Sequence, residues 1–251
     1  MSDYELDFEA LAALADPEMV QSLEEPLEKL NKEVDILLFI SQGCPACPHQ
    51  VKTLATLTLA SPLIAAEIVD IGQEPELAQQ YQVTAVPTTV VDDELVVVGV
   101  KHPVQMAEIL LAREGPEGEI ALLTSFLETG RREEAADRIL YGPAPGATLQ
   151  AFLELWARST LQDRMGLTLL AEAVLDQNPE GLDPLLPALL TGLQTESPLT
   201  EDPSRKGDTA DLLGRIGHPD ARPVLQMLTE DENAEVAETA AEALEELEEL
   251  D

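Results

Sequence analysis

The chain has 251 residues, enough for two domains, and 45% of them are apolar, which fits a globular protein rather than a disordered one. Its formal net charge is −35, with acids outnumbering bases in every third of the chain, so no basic face offers itself to nucleic acid or an anionic membrane. Only 3% of residues are aromatic, so the core must be aliphatic, and the acidity fits either a salt-adapted host or a basic partner.

No run of eighteen apolar residues exists, and MSDYELDFEALAAL lacks the basic flank and apolar stretch of a signal peptide, so a cytoplasmic location is expected. Residues 1–32 read as two short acidic helices, one over FEALAALA and a second opened by Asp16-Pro17. A denser alternation follows over 33–113. EVDILLFIS predicts a buried strand and CPACPHQVKTLATLTLAS a helix entered through the cysteines; AEIVDIG predicts a second strand and PELAQQY a second helix. PTTVVDD and ELVVVGV, divided by acidic turn residues, predict a hairpin, and PVQMAEILLAR a closing helix. The order β-α-β-α-β-β-α requires a mixed four-stranded sheet with helices on both faces.

EGPEG at 114–118 reads as a linker, and 119–251 predicts helix throughout. Within this half Thr168–Ala173, Thr209–Leu213 and Thr239–Leu244 align at spacings of 41 and 30 residues. The last part, GRIGHPDARPVLQMLTEDENAEVAETAAEAL, resembles a HEAT-type repeat, so the expected architecture is an α/β domain followed by an all-α HEAT-like array.

The only two cysteines, Cys44 and Cys47, stand where the first strand hands over to a helix. Unpaired N–H groups at a helix start favour a thiolate, and a second thiol three residues on can reach the first. Pro45 suits the first helical position, and His49, two residues past Cys47, is either a solvated residue or a modulator of the pair. Other readings remain open. A structural disulfide would close a four-residue loop for little gain. A metal site would have at most Cys44, Cys47 and His49 from one chain, with His102 and His218 far off in sequence, unless two chains shared it. Trp156 reads as core, and the terminal EELEELD as a solvated helix end.

CPACP, followed after some thirty residues by PELAQQYQVTAVPTTVV, a hairpin and a closing helix, resembles the thioredoxin/glutaredoxin superfamily. It is most similar there to glutaredoxin-like protein disulfide oxidoreductases and to the N-terminal redox domain of the alkyl hydroperoxide reductase flavoprotein. The resemblance covers residues 33–112. It implies a thiol–disulfide oxidoreductase in which Cys44 attacks and Cys47 resolves, Pro87 is cis and faces the pair, and the backbone of Val86 pairs with an extended substrate. It implies no bound cofactor or metal, only the Cys44–Cys47 pair, with a protein or small-molecule disulfide or dithiol as substrate and an external electron donor. A protein client on the helical half is a further expectation, as is the alternative of a non-catalytic scaffold whose thioredoxin-like unit docks or senses redox state. Three departures from the family stand out: Leu38 where many thioredoxins bury an acid, Ile40 where they carry an aromatic, and Pro45-Ala46 between the cysteines.

Overall fold

The structure is a computed structural model that describes residues 13–113 and 115–250. The chain forms two compact units, one up to residue 129 and one from 130 onward. The first of the two N-terminal helices expected from sequence lies mostly outside the described residues.

The first unit opens with α1 (Pro17–Leu27), capped by Asp16, whose carboxylate accepts the Glu18 and Met19 N–H groups. Strand β1 (Val34–Ile40) leads through a short loop to α2 (Cys47–Ala60). Then come β2 (Ile64–Asp70), α3 (Pro75–Gln80), β3 (Thr88–Val91), β4 (Leu95–Val98) and α4 (Pro103–Ala112). The four strands form one mixed sheet in the order β2-β1-β3-β4, with β1 parallel to β2 and the other pairings antiparallel. The parallel pair requires a crossover, which α2 supplies. Alternation along β1 divides the two faces. Phe39 points to a core with Val69, Val90, Val96 and Ala78 of α3, while Ile36 and Leu38 lie buried on the opposite face. Helix α1 packs on α2 and α4.

The hairpin closes through Asp92 and Asp93, at φ 50° and 62°, with the Glu94 N–H donating to the Val91 carbonyl. Two successive positive φ values match the right-handed twist of paired strands, and Asp tolerates them better than bulkier residues. Asp92 also accepts the Asp35 N–H and the Arg113 Nε–H, tying the turn to β1 and to the end of α4. Tyr81 donates its hydroxyl to Asp93, and burial followed by that neighbouring carboxylate pushes its pKa up to about 12.

Helix α5 (Pro116–Thr129) belongs to this first unit. The sequence reading breaks the chain at 114–118 and assigns everything later to the helical half. Instead α5 lies against β4, and its Ser125 hydroxyl accepts the Val96 N–H at 3.0 Å. The cause is the free edge of β4, whose outward N–H groups need partners. Helical periodicity alone carries no sign of this packing.

The second unit contains α6 (Arg132–Tyr141), α7 (Pro145–Arg158), α8 (Leu161–Gln177), a 3-10 turn running into α9 (Leu186–Gln194), α10 (Pro203–Ile216), a 3-10 turn running into α11 (Arg222–Leu228), and α12 (Ala234–Leu250). Helix α6 packs on α7 and α8, α8 on α10, and α10 and α11 both on α12. Trp156 is 1% exposed, stacks on Phe152 and donates its indole N–H to the Thr209 hydroxyl at 3.0 Å. Gly214 marks a close helix crossing: a Cβ there would stand 2.7 Å from the Ala243 Cβ. His218 caps the second 3-10 turn by accepting the Asp220 N–H. No helix among the described residues is long and apolar enough to cross a membrane.

Candidate functional site

Strand β1 ends at Ile40, and Gly43, at φ +83°, turns the chain so that the Cys44 N–H reaches back to the Ser41 carbonyl. Only glycine adopts that backbone without penalty. The sequence predicts a helix beginning at Cys44; helix α2 begins at Cys47. Pro45 disfavours the helical conformation for the residue before it, so Cys44 stays outside. Pro45 accordingly lies in a bend ahead of the helix rather than at its first position, and Pro48 occupies the first turn, where no donor is lost. The Cys47 N–H, at the helix start, donates to the Cys44 sulfur at 3.1 Å. Cys44 therefore meets the positive end of α2 from outside, through a direct hydrogen bond.

Cys44 and Cys47 form a disulfide, their Cα atoms 5.5 Å apart. The two sulfurs differ in access: Cys44 is half-buried, whereas Cys47 is only 3% exposed. The Val86–Pro87 peptide bond is cis, and the Val86 carbonyl oxygen lies 3.8 Å from the Cys44 sulfur. Thr88 fixes this corner by donating its hydroxyl to the Ala85 carbonyl at 2.8 Å, and the Gly99 N–H donates to the Pro87 carbonyl at 2.8 Å. Val98 and Val100, flanking Gly99, are exposed.

The structure thus brings Cys44, Cys47, Val86 and Pro87 together. His49 is exposed on the first turn of α2. His102 serves as the N-cap of α4: its Nδ1 accepts the Val104 N–H, and Gln105 returns a bond to the His102 N–H. Among the described residues no group of three His, Cys, Asp or Glu side chains could hold a metal ion.

Gln50 escapes sequence reasoning. One turn beyond Cys47 it is 0% exposed, and its amide bridges Thr89 of β3 and the Lys101 N–H. Nothing local to Gln50 signals a partner fifty residues away.

This geometry is that of a thioredoxin-like domain bearing a Cys-X-X-Cys disulfide, and residues 32–111 match the family model described as thioredoxin domain. Similar solved structures include the N-terminal domain of the alkylhydroperoxide reductase AhpF from Enterococcus faecalis and a point mutant of that reductase. Each is 31% identical over 36% of this chain and 42% of its own, with a TM-score of 0.34. A protein disulfide oxidoreductase from Aeropyrum pernix is 25% identical over 36% of this chain and 41% of its own, with a TM-score of 0.32. The chain spans about two fifths of the length of these proteins. No curated protein matches it.

Proposed function

We propose that the chain is a thiol–disulfide oxidoreductase acting on polypeptide disulfides through Cys44 and Cys47. The observation that carries this reading is the placement of the Cys44 sulfur, which accepts the Cys47 N–H at a helix start and faces the Val86 carbonyl beside cis-Pro87. In the reduced protein the same N–H favours a thiolate at Cys44. That thiolate attacks one sulfur of a client disulfide, and the client's other sulfur leaves as a thiolate and takes a proton. Cys47 then loses its proton and attacks Cys44, releasing the second client thiol and closing the Cys44–Cys47 disulfide. An external dithiol reduces the pair for the next cycle, and no bound cofactor is required. The greater exposure of Cys44 supports this order of attack. Val86 offers its backbone to an extended client segment in the manner of strand addition, and Pro45 and His49 border the approach without touching either sulfur through any described hydrogen bond.

Reduction of insulin by dithiothreitol tests the reading. Catalysis well above background that Cys44→Ser abolishes is expected, together with a persistent mixed disulfide in Cys47→Ser. A folded wild type with no turnover would favour the other reading, a helical scaffold whose thioredoxin-like unit docks or senses redox state.

The HEAT-like helical unit, on our reading, selects clients. Leu161, Met165 and Leu169, spaced at i, i+4 and i+8 on α8, are 61%, 65% and 41% exposed, an apolar stripe on one face. Serine at all three positions should change the set of proteins trapped by Cys47→Ser; an unchanged set would count against this role.

A further inference from the structure

The buried polar links between α2, β3 and the β4–α4 loop have no evident place in the exchange chemistry. Gln50 and Thr89 are both 0% exposed. The Lys101 N–H can only donate, so the Gln50 oxygen must face it, at 2.8 Å, and the amide nitrogen is left to donate to the Thr89 hydroxyl at 3.1 Å. One turn further along α2, the Thr53 hydroxyl donates to the Lys101 carbonyl at 2.9 Å. A glutamine with both ends satisfied in the interior is costly to assemble and costly to break, since either partner left alone loses a hydrogen bond in a dry site.

What these bonds join is informative. Gln50 lies three residues after Cys47, so it is carried by the turn of helix that carries the buried sulfur. Thr89 lies two residues after Pro87, on the strand that presents the Val86–Pro87 corner. The β4–α4 loop is held at both ends, by the Gly99 N–H on the Pro87 carbonyl and by Lys101 on Gln50 and Thr53. The result is a closed ring of contacts linking the dithiol helix, the proline corner and the exposed Val98–Val100 rim. Leu38 pairs directly with Thr89 across β1 and β3, so an apolar residue stands beside the Gln50–Thr89 bond on the neighbouring strand.

Resting on the oxidoreductase reading above, we propose that Gln50 is a positioning residue that fixes the distance between the dithiol helix and the Val86–Pro87 corner. It thereby makes the site selective for polypeptide disulfides over small ones. A polypeptide must lie on the Val86 backbone while its disulfide meets Cys44, so both halves of the site must be in register. A small disulfide needs only Cys44. Displacement of about 1 Å between positioned groups can cost up to ~100-fold in rate, so loosening one of several ties should cost about tenfold on the polypeptide alone.

The experiment compares two substrates on the full chain: turnover of insulin with dithiothreitol, and the single-turnover rate of the reduced protein with the aromatic disulfide DTNB. Gln50→Met and Thr89→Val remove the link from either side, and Thr89→Ser keeps the hydroxyl. The expected result is about a tenfold loss of kcat/KM on insulin for the first two, a DTNB rate within about twofold of wild type, and wild-type behaviour for Thr89→Ser. Equal losses on both substrates, or none on either, would overturn the proposal, as would a wild type that reduces DTNB but not insulin. A wild type inert to both sinks the oxidoreductase reading itself. Should Gln50→Met fail to fold, Thr89→Val, which deletes only one acceptor, decides the matter.

Discussion

Arg164 holds the second unit together, and its replacement by methionine isolates that contribution. The guanidinium is 2% exposed and donates through Nε to Asp208 at 2.6 Å, and through its terminal nitrogens to the Ser159 carbonyl at 2.9 Å, the Ser204 hydroxyl at 3.0 Å and Asp202 at 3.4 Å. Breaking a buried ion pair by removing one partner costs about 3–5 kcal/mol. Here the carboxylates keep 37% and 43% of their side-chain surface in water, so they are partly rehydrated and the cost falls to about 2–3 kcal/mol. A unit of about 120 residues unfolds with roughly 0.25 kcal/mol of entropy per degree, which converts that loss into a Tm about 8–12 °C lower. Trp156 is the only tryptophan in the chain and lies buried in this unit, bonded to Thr209 on the helix that carries Asp208. Its emission therefore reports this transition selectively. A Trp156-detected midpoint that moves by less than about 2 °C in Arg164→Met would refute the reasoning.

Gly214→Val forces a branched side chain against the Ala243 backbone and should destabilise the α10–α12 crossing by about 1–3 kcal/mol, read as a lower urea midpoint with the slope unchanged. Burial raises the pKa of Asp231, but the Lys206 hydrogen bond and charge and the Asn233 N–H outweigh it, so the net shift is downward. A carboxyl depressed on folding stabilises above its unfolded pKa of about 3.9 and loses that contribution as pH falls through the folded value. Asp231→Asn should accordingly cost stability at pH 7 and little at pH 2, and a pH-independent cost would contradict the pairing. Tyr81 should ionise near pH 12 in an ultraviolet titration, a step that Tyr81→Phe removes. Because its folded pKa is raised, the stability it contributes is complete below the unfolded value of about 10 and is lost as pH rises from there through the folded value of about 12.

Much of the site was legible because its signals are local. Two cysteines beyond a run of apolar β-formers, a Val-Pro before another such run, and paired aspartates between two strands each announce their own backbone. What stayed hidden depends on partners distant in sequence. The Cys44 sulfur takes over the cap of α2, so the helix begins three residues later than CPACP suggests. Gln50 carries no local sign of its burial until Lys101 and Thr89 are seen beside it. Residues 116–129 have the same periodicity as the helices after them, and only the open flank of β4 explains why they pack on the sheet.

Ser125 has a practical meaning for anyone trimming this protein. Ending the polypeptide at 113, where the recognisable domain stops, strips the cover from Val96 and leaves a row of valines free to zip onto a neighbouring molecule. Ending it at 129 keeps that border sealed. The shorter fragment should sediment as aggregates, and the longer one as a single species.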